Sequence, residues 1–187
     1  MGVITISRQL GSQGNDVAHE IASRLNYPVV CRELINQAAI RAGVPEVALA
    51  TIDDLGLFGL HPSPEARKAY HHAVQVLMGE FSADGDVIIV GRAGQVILRN
   101  HPGVLHVKVI APASLRACRI ANQQGISLEA AGAQINASDR SRHDYLRRFY
   151  HVRWDDPELY DLIINTARLN PGTAACLICQ ALEDFGC

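Results

Sequence analysis

Five short apolar runs, separated by stretches of helical periodicity, restrict this chain to few architectures. The runs lie at 3–6 (VITI), 27–31 (YPVVC), 86–90 (DVIIV), 104–110 (VLHVKVI) and 161–165 (DLIIN). They are short and mostly rich in β-branched residues, which suits buried strands. Between them, apolar residues recur at helical spacing. Val17, Ala18, Ile21, Ala22 and Leu25 mark one face, and Leu34, Ile35, Ala38 and Ala39 a second. Ala66, Ala69, Tyr70, Ala73, Val74, Leu77 and Met78 mark a third, over 64–81. Further helices are expected over 94–100, 112–124 and 127–137, then one capped by Ser138 or Asp139, and a last over 172–185. The order predicts an α/β fold with a five-stranded parallel sheet flanked by helices. The second strand is expected beside the first, closing a βαβ unit. At 187 residues the chain makes one domain, or one with a small subdomain. Ligands of such sheets bind beyond the carboxyl ends of the strands. Three turns bearing glycine or arginine fall there: residues 8–16, Arg32 and residues 91–94.

The first of these turns carries the chemistry. Gly11 and Gly14 bracket a bend between a strand and a helix. Backbone N–H groups at such a helix start form an anion site whose usual occupant is phosphate; a tight turn with no ligand fits the same residues. The standard phosphate-loop pattern is G-x-x-x-x-G-K-[ST]. With Gly14 as its second glycine, Gln9 takes the first glycine's place, Asn15 the lysine's and Asp16 the hydroxyl's. The candidate loop is Gly11, Ser12, Gln13, Gly14, Asn15 and Asp16.

Charge narrows the partners. A net charge of −2 gives no global field to recruit nucleic acid. Fifteen arginines stand against two lysines, Lys68 and Lys108, so a side chain gripping phosphate is expected to be arginine. Cys176 and Cys179 make a C-x-x-C within a helical stretch. With no second cysteine pair or histidine cluster to complete a zinc set, they read as small hydrophobes, and no metal site is expected. There is no signal peptide, no run of 18 apolar residues and no polybasic tail, so the expectation is a cytoplasmic protein without membrane attachment.

Several motifs then fall in a known order. ITISRQLGSQG with its helix is followed by a short strand and RELI. A strand ends in Gly91-Arg92, with VILR and HPGVLHVKVIAP behind it. DRSRHDYLRRFY precedes W-x-D-P-x-x-Y-D-L-I-I-N-T. Together these resemble the cytidylate kinase-like family of P-loop kinases over nearly the whole chain, least between about 45 and 80. The resemblance implies a nucleoside monophosphate kinase fold in one domain. Its core would be 1–42, 84–125 and 157–187, its acceptor-binding helical segment about 43–83, and its arginine-bearing helical LID about 126–156. It implies transfer of the γ-phosphoryl group of ATP, with Mg2+, to CMP or dCMP. Arg92 and Arg32 would bind the acceptor, and Arg140, Arg142 and Arg92 would serve the transferring phosphoryl; Arg8 would brace the loop or reach a phosphate.

The chain also departs from the family pattern. Asn15 replaces a basic residue, Val90 an Asp and Cys31 an Asp. These losses leave open a nucleotide-binding module of the same fold with little or no turnover, and the thin resemblance over 43–80, where the acceptor's base would be read, leaves open a kinase for another small acceptor. Oligomeric state is left open by the sequence.

Overall fold

The computed structural model describes residues 2–31, 40 and 64–185. Arg32, the expected helix over 32–42 and most of the loop at 53–64 lie outside the described residues. So does much of the expected acceptor segment.

β1 (Val3–Arg8) leads into α1 (Gly14–Leu25), followed by β2 (Val29–Val30). A long helix, α2 (Pro64–Asp84), precedes β3 (Val87–Val90) and the short α3 (Gly94–Ile97). Next come β4 (Val104–Ile110), α4 (Ala113–Gln124) and α5 (Leu128–Tyr150). A 3-10 turn (Pro157–Leu159), β5 (Leu162–Asn165) and α6 (Pro171–Phe185) close the chain. The strands form one parallel sheet in the order β2-β3-β1-β4-β5.

The sheet order corrects one expectation. β2 pairs with β3, not β1, so no βαβ unit closes between the first two strands. The reason is burial: all four residues of β3 are buried and take a neighbour on each side, whereas two-residue β2 suffices for an edge.

Alternation along the strands sets the two faces. Ile4, Ile6, Ile88, Val107 and Val109 face Val17, Ala18 and Ile21 of α1 and Ala174, Ala175 and Ile178 of α6. On the other face, Val3, Val87, Ile89 and Val104 pack on Val74 and Met78 of α2, while Ala69, expected inward, is exposed. That second face turns polar toward the carboxyl end. Thr5 lies opposite His106 and Ser7 opposite Lys108, all four buried.

α5 corrects a second expectation. Residues 128–150 form one continuous helix, with Ser127 as N-cap accepting from the Ala130 N–H at 3.1 Å. No helix begins at Ser138 or Asp139. Ser138 is buried and its hydroxyl takes a hydrogen bond from Arg142, one turn on. The Asp139 carboxylate turns to Arg116 on α4. Neither side chain is left to cap a backbone N–H, so the helix runs through. α3 is shorter than its expected span of 94–100.

Candidate functional site

The turn after β1 is held from behind. Its carbonyls are taken in sequence: Gln9 by the Ser12 hydroxyl at 2.8 Å, Leu10 by Arg116 at 3.3 Å and Gly11 by Arg119 at 3.2 Å. The Ser12 carbonyl accepts from the Thr166 hydroxyl at 2.8 Å, and the Gln9 side-chain oxygen accepts from the Ala111 N–H at 3.0 Å. A peptide whose carbonyl points one way sends its N–H the other. Gly11 (φ +77°) and Gln13 (φ +61°) are left-handed, the backbone form that gathers successive N–H groups into a concave nest. The backbone of the turn expected to bind an anion is therefore held in a fixed frame, in which the Ser12 N–H is itself spent on the Gln9 carbonyl at 3.2 Å. The Ser12 side chain belongs to that frame, because its hydroxyl is spent on Gln9.

Arg116 is the central prop. It is 4% exposed and donates to the carbonyls of Ala111 and Leu10 and, through both terminal nitrogens, to Asp139 at 3.2 and 2.9 Å. One guanidinium thus ties the turn, the end of β4 and helix α5 together. Arg119 ties Gly11 to both the hydroxyl and the carbonyl of Thr166 beyond β5. Sequence reasoning passed over both arginines. The available signal was their spacing, i and i+3 on the helix that follows β4.

A cleft of about 950 Å³ opens over the carboxyl ends of β1 and β3. Of the expected site residues it brings together Arg8, Asn15, Arg92 and Arg142, while Gly11, Ser12, Gln13, Gly14 and Asp16 do not line it. Arg92 follows β3 in a run of three left-handed residues: Gly91 (φ +82°), Arg92 (φ +52°) and Ala93 (φ +57°). Left-handed backbone costs a non-glycine residue on the order of 1 kcal/mol, so this turn holds Arg92 at some expense. Arg92 is buried. Arg142 comes from α5, with its guanidinium donating to the Ser138 hydroxyl and lying 5.8 Å from the centre of the Trp154 ring.

The remaining expected residues are placed differently. Arg140 is exposed and does not line this cleft. Two residues apart on a helix means about 200° of rotation, so Arg140 and Arg142 leave α5 on opposite sides. Asp16 sits in the exposed first turn of α1, where the helix dipole favours it. Among the described residues, no group of three His, Cys, Asp or Glu side chains is placed to hold a metal ion. Val90 and half-buried Cys31, standing where acids were expected by resemblance, both line the cleft.

Beneath the cleft lies a polar support. The Trp154 indole N–H donates to the Ser7 hydroxyl at 2.8 Å. Its carbonyl accepts from Lys108 at 2.6 Å and from the Tyr160 hydroxyl at 2.8 Å, and Gln95 donates to Tyr160 at 3.4 Å. The Lys108 ammonium lies 4.6 Å from the Trp154 ring centre and 5.0 Å from that of Tyr160. This cluster fastens the chain leaving α5 to β1 and β4. Burial pushes the Lys108 ammonium down to about 8, against an opposing pull from Asp155 and Asp139. Burial also pushes the Tyr160 phenol up to about 12.

The lysine has a signed consequence. Between about pH 8 and its ordinary value of 10.5, the unfolded chain keeps the Lys108 proton and the folded chain gives it up. The unfolded state then binds more protons, so stability attributable to this group rises with pH. Chemical denaturation at pH 8 and pH 10 should show wild type gaining stability relative to Lys108→Met. A flat difference would remove Lys108 as the cause.

A model of the cytidylate kinase-like family matches residues 3–168. A cytidylate kinase of Pyrococcus horikoshii is 26% identical over 181 residues, covering 97% of this chain and 88% of that protein. One of Halobacterium salinarum is 26% identical over 188 residues, covering 98% and 90%. A uronate isomerase of Corynebacterium glutamicum is 27% identical over 138 residues, a match confined to 26% of that protein. Among solved structures, an uncharacterized protein of Eubacterium ventriosum superposes with a TM-score of 0.78 at 19% identity, over 98% of this chain and 99% of that one. A gluconokinase of Sinorhizobium meliloti superposes at 0.59 and 14% identity, over 98% and 94%. A shikimate kinase of Bacteroides thetaiotaomicron gives 0.56 at 12%, over 97% and 98%. At these identities the structural matches establish the P-loop kinase fold.

Proposed function

This chain belongs to the cytidylate kinase-like family, and from that premise we propose that it transfers the γ-phosphoryl group of ATP to CMP or dCMP. One observation carries the reading. Arg8, Leu10 and Asn15, which flank the braced turn, line one cleft with Arg92 from a second turn and Arg142 from a helix, at the carboxyl edge of a parallel sheet. Phosphoryl transfer asks little covalent chemistry of a protein; it asks for alignment and for positive charge around three equatorial oxygens. The turn at Gly11–Gly14 takes the donor's phosphates on its backbone N–H groups. Arg92, fixed by β3 and its left-handed turn, takes the acceptor's phosphate. Arg142, which lines the same cleft, serves the transferring phosphoryl. Arg140 reaches the phosphates only by movement of α5, and Arg32 serves the acceptor from the segment beyond β2.

Magnesium arrives in this scheme as part of the substrate, on the nucleotide's own phosphate oxygens with most of its waters. Among the described residues, the turn itself carries one carboxylate, the exposed Asp16, so in this scheme the ion's charge is balanced chiefly by the nucleotide. The absence of Asp at 90 favours a second reading, a kinase for another small acceptor, because base recognition depends on placed hydrogen bonds.

A coupled ADP-release assay with Mg-ATP against CMP, dCMP, UMP, AMP, gluconate and shikimate tests the proposal. Highest kcat/KM with CMP or dCMP is expected. Turnover confined to another acceptor would transfer the assignment to the second reading. Nucleotide binding with no turnover on any acceptor would leave a binding module.

A further inference from the structure

We propose that Arg8 supplies the cation of the phosphate-binding turn, and that Asn15 is its holder rather than a degenerate lysine. The inference rests on the phosphotransfer reading above for its catalytic consequence, and on geometry alone for the placement of charge.

Arg8 is the last residue of β1, paired to Val109 of β4 in the sheet register, so its backbone is held by the core. Its side chain passes through space that two glycines vacate. A Cβ on Gly14 would lie 2.4 Å from Arg8 Cβ and 2.9 Å from its Cγ, and a Cβ on Gly91 would lie 2.6 Å from its Nη1. Gly14 belongs to the donor-side turn and Gly91 to the turn that carries Arg92. The Arg8 guanidinium therefore spans the two turns whose ligands must meet, and it lines the same cleft as Arg92 and Arg142.

Asn15 fits this arrangement and a lysine does not. The Asn15 Oδ1 accepts from the Arg8 Nε–H at 3.1 Å. Lysine and arginine have no acceptor atom, so either at position 15 would lose the bond and set like charges side by side. Guanidinium stays charged throughout the working pH range and offers five donors in a planar fork. With Nε turned to Asn15, Nη1 lies against Gly91, so the guanidinium reaches from the first turn to the second. The positive charge missing from position 15 is thus supplied from position 8.

The decisive experiment moves the charge. Steady-state kinetics with Mg-ATP and CMP would be measured for wild type, Arg8→Gln, Asn15→Lys and the double variant Arg8→Gln/Asn15→Lys. Inorganic tripolyphosphate affinity by calorimetry and thermal melting would accompany each. Glutamine keeps a donor for Asn15 and removes only the charge. Arg8→Gln should lose about 10²-fold in kcat and at least about tenfold in tripolyphosphate affinity. Asn15→Lys alone should not gain, because its ammonium repels Arg8. The double variant should recover at least about tenfold over Arg8→Gln in both readouts. A merely structural Arg8 predicts no such recovery. Arg8→Gln within threefold of wild type in tripolyphosphate affinity overturns the proposal, as does a folded double variant no better than Arg8→Gln. Should wild type phosphorylate no acceptor, the phosphotransfer reading fails by itself, and the tripolyphosphate affinities still decide where the cation sits.

Discussion

Arg92→Gly lowers kcat/KM for phosphoryl transfer by about 10² to 10³, the loss expected when one preorganised charge is withdrawn from a developing phosphoryl transition state. Arg92→Ala should do the same to activity, but the two variants part in stability. Position 92 holds a left-handed φ of +52°, flanked by Gly91 and Ala93 at +82° and +57°. Glycine adopts that backbone freely and alanine does not, so Arg92→Gly should be more stable than Arg92→Ala by about 1 kcal/mol. Urea denaturation of the two variants reads that difference directly. Equal stability would mean that the turn relaxes once the arginine is gone, and would end the argument that backbone strain is spent on presenting this side chain. Unchanged kcat/KM in either variant would remove Arg92 from the site.

The second large effect is on folding. Arg116→Met should cost about 3 kcal/mol, because it leaves the Leu10 and Ala111 carbonyls without their donor and the Asp139 carboxylate without its partner. For a chain of this size that is a fall of about 6–12 °C in Tm. Removing both ends of a buried pair costs less than removing one, so Arg116→Met/Asp139→Leu should recover part of the loss. Activity should fall further than stability alone explains, since Leu10 belongs to the turn proposed to hold the donor's phosphates. A variant that melts lower yet keeps wild-type KM for ATP would separate Arg116 from the loop's function.

How far the sequence told this story depends on the range of each interaction. The strands at 3–8, 87–90 and 104–110 were legible because their burial follows directly from apolar runs. The position of β2 was not, because nothing local says that β3, about 60 residues on, will insert beside β1. Ser138 and Asp139 look like helix caps, but their partners are Arg142 one turn away and Arg116 on another helix, so α5 continues. Arg140 and Arg142 looked alike as cations of one segment; helix geometry separates them, and only Arg142 lines the cleft. Asn15 takes its meaning from a residue on β1. By itself it is a lost charge, and only the path of the Arg8 side chain past Gly14 and Gly91 gives it a role. In the sequence Lys108 is only one of two lysines, because its meaning lies in Trp154 and Tyr160, brought over it by the chain leaving α5.

The central claim is that the donor turn and Arg92 hold two phosphates for one transfer between them. The most direct measurement follows the label from γ-labelled ATP in the presence of CMP, for wild type and for Arg92→Gly. The account predicts label in CDP with wild type, little in free phosphate, and loss of labelled CDP with Arg92→Gly while ATP still binds. Label released only as free phosphate, or labelled CDP formed equally well without Arg92, would contradict it.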